Sequence, residues 1–219
     1  EDPIEYVFAN RKSLINQREV GTDTGTLQIG LKNALREAPD VIMIGEIRDR
    51  QTMKQAISYA ETGHLCLSTL HANNANQAME RVINFFPEEA HRQLLVDLSL
   101  NLAGVVSQRL IPGLHEKLVP AVEVMLNSSY ISDLIAKGEF SGIKEAMARS
   151  TEIGMCTFDQ ALYQLYTEDR ISLDEALHNA DSRTDLALRI RLAAGVSTQD
   201  VGDLSIDTSS PIQSAARLA

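Results

Sequence analysis

Three short stretches of the 219-residue chain carry side chains suited to handling a phosphate group or a reactive water. Gly45-Glu46-Ile47-Arg48-Asp49 follows directly on the apolar run Val41-Ile42-Met43-Ile44. A carboxylate at the edge of a dry sheet can orient a water, or hold Mg2+ through water. A solvated loop carboxylate paired with Arg48 is the plainer alternative. Thr62-Gly63-His64 and Thr69-Leu70-His71 place a histidine at each end of a second apolar run. His71, at its exit, can donate a hydrogen bond to a phosphate oxygen or a product. The two imidazoles cannot share a metal, because a rise of about 3.3 Å per strand residue puts their Cα atoms roughly 20 Å apart. His64 therefore reads better as a structural residue at a strand start. In Glu1-Asp2-Pro3-Ile4-Glu5, Pro3 stiffens a turn with acidic groups on both sides, which is weak evidence in isolation.

The elements that position these residues follow from periodicity. Leu27, Leu31, Ala34, Leu35 and Ala38 mark one face of a helix that Pro39 ends. Residues 41–44, between Pro39 and Gly45, read as a strand buried on both faces. Met53, Ala56, Ile57 and Ala60 mark a second helix, with Asp49 as N-cap and Gly63 beyond its end. Residues 65–70 read as another strand, and Ala75, Ala78, Met79, Val82 and Ile83 as a helix after the Asn73-Asn74 turn. This alternation predicts a parallel sheet with crossover helices, whose ligands bind at the carboxyl ends of the strands.

After Pro87 the pattern predicts a long helix over about 88–108 and a last strand over 119–126. Helical patterns follow at 131–136, 143–148, 158–166 and 185–194, with Ser172-Leu173-Asp174-Glu175 as a capping box and Gly195 as a stop. The expected organisation is an α/β unit over 1–127, a helical module over 128–194 and a flexible tail over 195–219.

Composition narrows the function classes. Apolar residues make up 44% and charged residues 23%, which supports a packed core. The formal net charge of −10 argues against general nucleic-acid binding and against anchoring on anionic lipid. No apolar stretch approaches the roughly 18–20 residues that span a bilayer, and no signal peptide opens the chain. Cys66 and Cys156 are too few for a disulfide framework or a four-cysteine zinc site. Cys66, between Leu65 and Leu67, reads as a buried thiol, and the reducing cytosol as the compartment. The chain opens on Glu1 with no initiator methionine and reads as a fragment.

Taken together, the three stretches resemble the secretion-type hexameric P-loop ATPases, in their PilT/PilU-like twitching-motility (type IV pilus retraction) branch. Glu1-Asp2-Pro3-Ile4-Glu5-Tyr6 is similar to that family's Asp box, Leu35 to Asp49 to its Walker B region, and Thr62 to His71 to its His box. Gln108-Arg109-Leu110-Ile111-Pro112 and Met155-Cys156-Thr157-Phe158-Asp159 also look like this branch, the helical part leaning toward its PilU-like members. The resemblance covers about 1–191 and implies a RecA-like P-loop core followed by a helical module. It implies ATP and Mg2+ as ligands, with Glu46 as the glutamate that activates the attacking water. Glu5 and Asp2 would support that water or the Mg2+, Glu46 and Glu5 holding the metal through water. His71 would sense the γ-phosphate; Gly45 and His64 would line the nucleotide site, His64 in a subordinate role. The branches with a zinc-bearing extension carry four cysteines, and two isolated ones favour the retraction branch.

The resemblance further implies a cytoplasmic homo-hexamer, peripheral at the inner membrane. It would work on a pilus platform protein, and a mixed complex with a paralogous retraction ATPase is an option. The rival expectation is a non-catalytic accessory ring subunit; a DNA-transfer ATPase of the same superfamily fits the charge less well. No G-x-x-x-x-G-K-[ST] motif occurs in these residues, so the phosphate-cradling loop and its lysine have no counterpart here. The family's PAS-like N-terminal domain has none either. The expectation is that this chain by itself does not hydrolyse ATP, and that its sheet has unpaired edges and exposed apolar faces that make it associate.

Overall fold

A computed structural model describes residues 1–193. Helix α1 (Leu27–Ala34) starts at Thr26, whose hydroxyl accepts the Ile29 N–H, and tightens into a 3-10 turn over Leu35–Glu37. Ala38, in left-handed backbone at φ 49°, ends it ahead of Pro39. Strands β1 (Val41–Ile44) and β2 (Leu65–Ser68) pair in parallel, Val41 opposite Leu65 and Ile44 opposite Ser68. Helix α2 (Arg50–Glu61) makes the crossover between them. Asp49 caps it by accepting the Thr52 N–H at 2.8 Å, and Gly63, at φ +91°, turns the chain out of it. Helix α3 (Ala75–Asn84) begins at Asn74, whose side chain accepts the Gln77 N–H. The mixed α/β reading holds with its crossover; β1 spans the expected 41–44, and β2 ends at Ser68, two residues short of the expected 65–70.

Two expectations are corrected. The first is burial of β1 on both faces: Ile42 and Ile44 are buried against Leu31, Met53, Ala56 and Ile57, but Val41 and Met43 are exposed. Their parallel neighbours Leu65 and Leu67 are exposed as well, giving an apolar face that no described element covers. The helices of this region contribute to one side of the sheet only. The second is the helix over 88–108. Helix α4 (Glu88–Asn101) stops early, and strand β3 (Gly104–Pro112) pairs antiparallel with β4 (Leu118–Leu126). Val105 and Val106 continue the helical spacing of Leu94 and Leu98. Their β-branched side chains also suit a strand, and pairing with Met125 and Val124 decides the outcome.

The remaining described helices are α5 (Ser129–Lys137), α6 (Ile143–Ala148), α7 (Phe158–Thr167), α8 (Leu173–Asn179) and α9 (Arg183–Ala193). The full capping box lies at Thr157–Gln160, ahead of α7. At Ser172 only half of the expected box forms: its hydroxyl accepts the Glu175 N–H, while the Glu175 carboxylate accepts from Asn179 instead. The expected stop at Gly195 and the tail over 195–219 lie outside the described residues.

Two hydrophobic clusters hold the chain together. One gathers α1 to α4 and the β1–β2 sheet with Met125, Ile131, Leu134, Ile135, Ile143 and Met147. The other gathers Ile111, Val119 and Ala121 of the hairpin with Phe158, Leu162, Leu165, Ala176 and Leu186 of α7 to α9. The expected division near Ser128 falls at the N-cap of α5, and α5 and α6 pack into the first cluster. Cys66 is half-buried, and that burial pushes its thiol up from the ordinary range. No helix among the described residues is long and apolar enough to cross a membrane.

Candidate active site

The exits of β1 and β2 lie side by side because the parallel register continues past both strands. The Ile47 N–H donates to the Thr69 carbonyl at 3.1 Å, and the Thr69 hydroxyl donates to the Gly45 carbonyl. These two bonds fix the points at which the chains leading to Glu46 and His71 leave the sheet. The Glu46 Oε1 lies 3.0 Å from the His71 Nε2, and its Oε2 accepts from the Arg48 Nε at 2.7 Å. The carboxylate is 17% exposed whereas the imidazole is 78% exposed. A shielded anion is thus presented to an open surface through a solvated ring. Such a carboxylate can hold a water by accepting from it, and the ring can offer a hydrogen bond to an oxyanion.

The acidic N-terminal segment reaches the same place through its backbone. A Cβ built on Gly45 would stand 3.7 Å from the Glu1 Cα, so the first residue packs against the loop leading to Glu46. The Glu1 backbone nitrogen donates to the Arg18 carbonyl at 2.9 Å, its carbonyl accepts the Val20 N–H at 3.0 Å, and its carboxylate accepts from the Gln17 side chain at 2.8 Å. The Ile4 N–H donates to the Glu19 carboxylate, which holds that carboxyl below its ordinary value. Asp2 and Glu5 are exposed, and no hydrogen bond or ion pair joins either to Glu46 or His71. Nor do three or more acidic, histidine or cysteine side chains gather into a metal-binding group among the described residues. His64 stands at the opposite end of β2, its Nδ1 3.0 Å from the Thr62 hydroxyl and 3.3 Å from the Tyr59 carbonyl at the end of α2. The structure therefore brings together Glu46, His71 and Gly45, and leaves His64 outside the group.

Sequence reading passed over Glu123, a carboxylate only 3% exposed that accepts the Ala75 N–H at 2.8 Å. Burial pushes its carboxyl above the ordinary range and nearby Asp181 adds to this, against the Ala75 and Phe158 N–H groups and Arg109. The signal was available: Val119, Ala121, Glu123 and Met125 alternate along β4, and all four face inward.

Residues 1–185 match the model of the family described as type II/IV secretion system protein. The chain belongs to that family. It is 57% identical over 195 residues to the type IV pilus ATPase PilU of Pseudomonas aeruginosa, covering 89% of this chain and 51% of that protein. It is 39% identical over 180 residues to the type IV pilus retraction ATPase PilT of the same organism, covering 82% and 52%. A crystal structure of the pilus retraction motor PilT with bound ADP superposes with a TM-score of 0.78 at 39% identity, covering 86% of this chain and 53% of that one. The RecA-like fold and the PilT/PilU resemblance are thereby established, and the higher identity lies on the PilU side. The chain spans about half the length of the curated relatives it matches.

Proposed function

We propose that this chain carries the water-positioning side of an ATP-hydrolysing site in a type IV pilus retraction motor. The observation that carries the proposal is the Glu46–His71 contact at 3.0 Å, formed at the carboxyl ends of two parallel strands. Phosphoryl transfer to water asks the protein for positioning and charge stabilisation rather than covalent chemistry. In this reading Glu46 accepts a hydrogen bond, and then the proton, from the attacking water. His71 donates to an oxygen of the terminal phosphoryl group and reports its presence to the β2 exit. Glu1 packs against Gly45 at ordinary van der Waals distance, which brings the start of the acidic segment beside the loop that carries Glu46.

Mg2+ prefers one or two carboxylates together with phosphate oxygens and waters over an all-protein cage, which suits the scattered carboxylates here. Glu46 and Glu5 would hold it through water, and when bound it offsets phosphate charge. That PilU and PilT are pilus ATPases, and that the PilT crystal holds ADP, supports ATP as the substrate. We infer a hexameric, cytoplasmic assembly bearing on a platform protein at the inner membrane from the same likeness.

The test is Glu46→Gln in the full-length gene product. ATP turnover is expected to fall by about 100- to 10,000-fold, the range for a lost general base, with nucleotide binding retained. Turnover within a few-fold of the parent overturns the proposal. Twitching separates motor from accessory ring subunit: it is lost in the first case and kept in the second.

A further inference from the structure

His71 is held by little of its own. Its ring is largely exposed and touches Glu46, so its position depends on where the loop leaving β2 is fixed. That loop, residues 71–75, is gripped at two points from outside the β1–β2 sheet. The Asn73 carbonyl accepts from the Arg109 Nη2 at 3.4 Å, and the Ala75 N–H donates to the Glu123 carboxylate at 2.8 Å. Arg109 is on β3 and Glu123 on β4, so one hairpin supplies both anchors.

The same guanidinium is fixed from its far side by the C-terminal helices. Its Nη1 donates to the Asn179 carbonyl at the end of α8 at 3.0 Å, and its Nη2 to the Asp181 carboxylate at 2.8 Å. It lies over the Phe158 ring, 4.0 Å from the centroid. Asp181 is itself held: its N–H donates to the Asp159 carboxylate at 2.8 Å, and Lys144 pairs with both carboxylates. A planar fork with several donors and a stacking face is suited to joining three such segments, and a lysine is not.

We propose that Arg109 and Glu123 are positioning residues that set His71 against Glu46, and that Asp181 ties this setting to the C-terminal helices. The consequence for function rests on the role proposed above for Glu46 and His71. The setting of the loop does not, and it can be read without activity.

The experiment compares Arg109→Ala, Arg109→Lys, Glu123→Leu and Asp181→Asn in the full-length gene product. Amide hydrogen exchange is followed at residues 71–75, and the imidazole 15N shift is followed at His71. Expected are at least tenfold faster exchange at 71–75 in the two Arg109 variants and in Glu123→Leu, which removes the acceptor, and a smaller acceleration in Asp181→Asn. The His71 shift should move toward the value seen in Glu46→Ala, where the contact is removed directly. Arg109→Lys keeps the charge and the aliphatic stem, and decides the matter if Arg109→Ala does not fold. Exchange within twofold of the parent and an unmoved His71 shift overturn the proposal. In steady-state assays kcat should fall about tenfold or more with the KM for ATP within twofold; unchanged kcat alongside an inactive Glu46→Gln also overturns it. A loosened loop beside an active Glu46→Gln instead leaves the positioning intact and removes the hydrolytic reading.

Discussion

Glu123 shows what one residue can cost and return. A carboxylate buried this far loses hydration, and its neighbours restore part of it: the Ala75 N–H at the start of α3, with Phe158 and Arg109 nearby. Because burial raises its pKa in the folded chain above the ordinary 4.5, the folded state retains a proton that the unfolded chain has lost. Its contribution to stability is therefore full below that value and declines as pH rises through the folded one. Urea midpoints measured from pH 4.5 upward should fall less steeply in Glu123→Gln than in the parent. Identical slopes would show that Glu123 titrates normally. Glu46 and His71 were legible because strand ends advertise themselves through flanking apolar runs and glycines. Arg109 was legible only as part of a motif, since its partners Asn73, Asn179 and Asp181 are 36, 70 and 72 residues away. Periodicity carries no information at such distances.

At the scale of elements, local signals and long-range pairing divide the outcome. Asp49, Asn74 and Ser128 cap helices through their own side chains, and the boundaries of α2, α3 and α5 follow from them. The limit of α4 does not, because helical and extended spacing coincide over the few apolar residues beyond Asn101. What separates them is a partner strand that begins at Leu118. Gly104, at the start of β3, leaves no room for a side chain: a Cβ there would stand 2.6 Å from the Met125 carbonyl oxygen. Gly104→Ala should destabilise the chain by about 1–3 kcal/mol through that backbone clash. A denaturation midpoint equal to the parent's would mean that the hairpin yields freely.

At the scale of the molecule, Val41, Met43, Leu65 and Leu67 form an exposed apolar face on the β1–β2 sheet. Parallel sheets are ordinarily covered on both sides, and an apolar face left open favours association. Residues 1–219 expressed alone are expected to sediment above monomer mass, and Met43→Glu with Leu67→Glu to shift them toward it. A parent chain that is monomeric at tens of micromolar would refute this. The β3–β4 hairpin sets a different property. Near one end, Val105 and Met125 join the first hydrophobic cluster; toward the other, Ile111, Val119 and Ala121 root in the second. A ribbon mortised into two interiors joins them, so heat or urea is expected to melt both clusters in a single transition rather than in two.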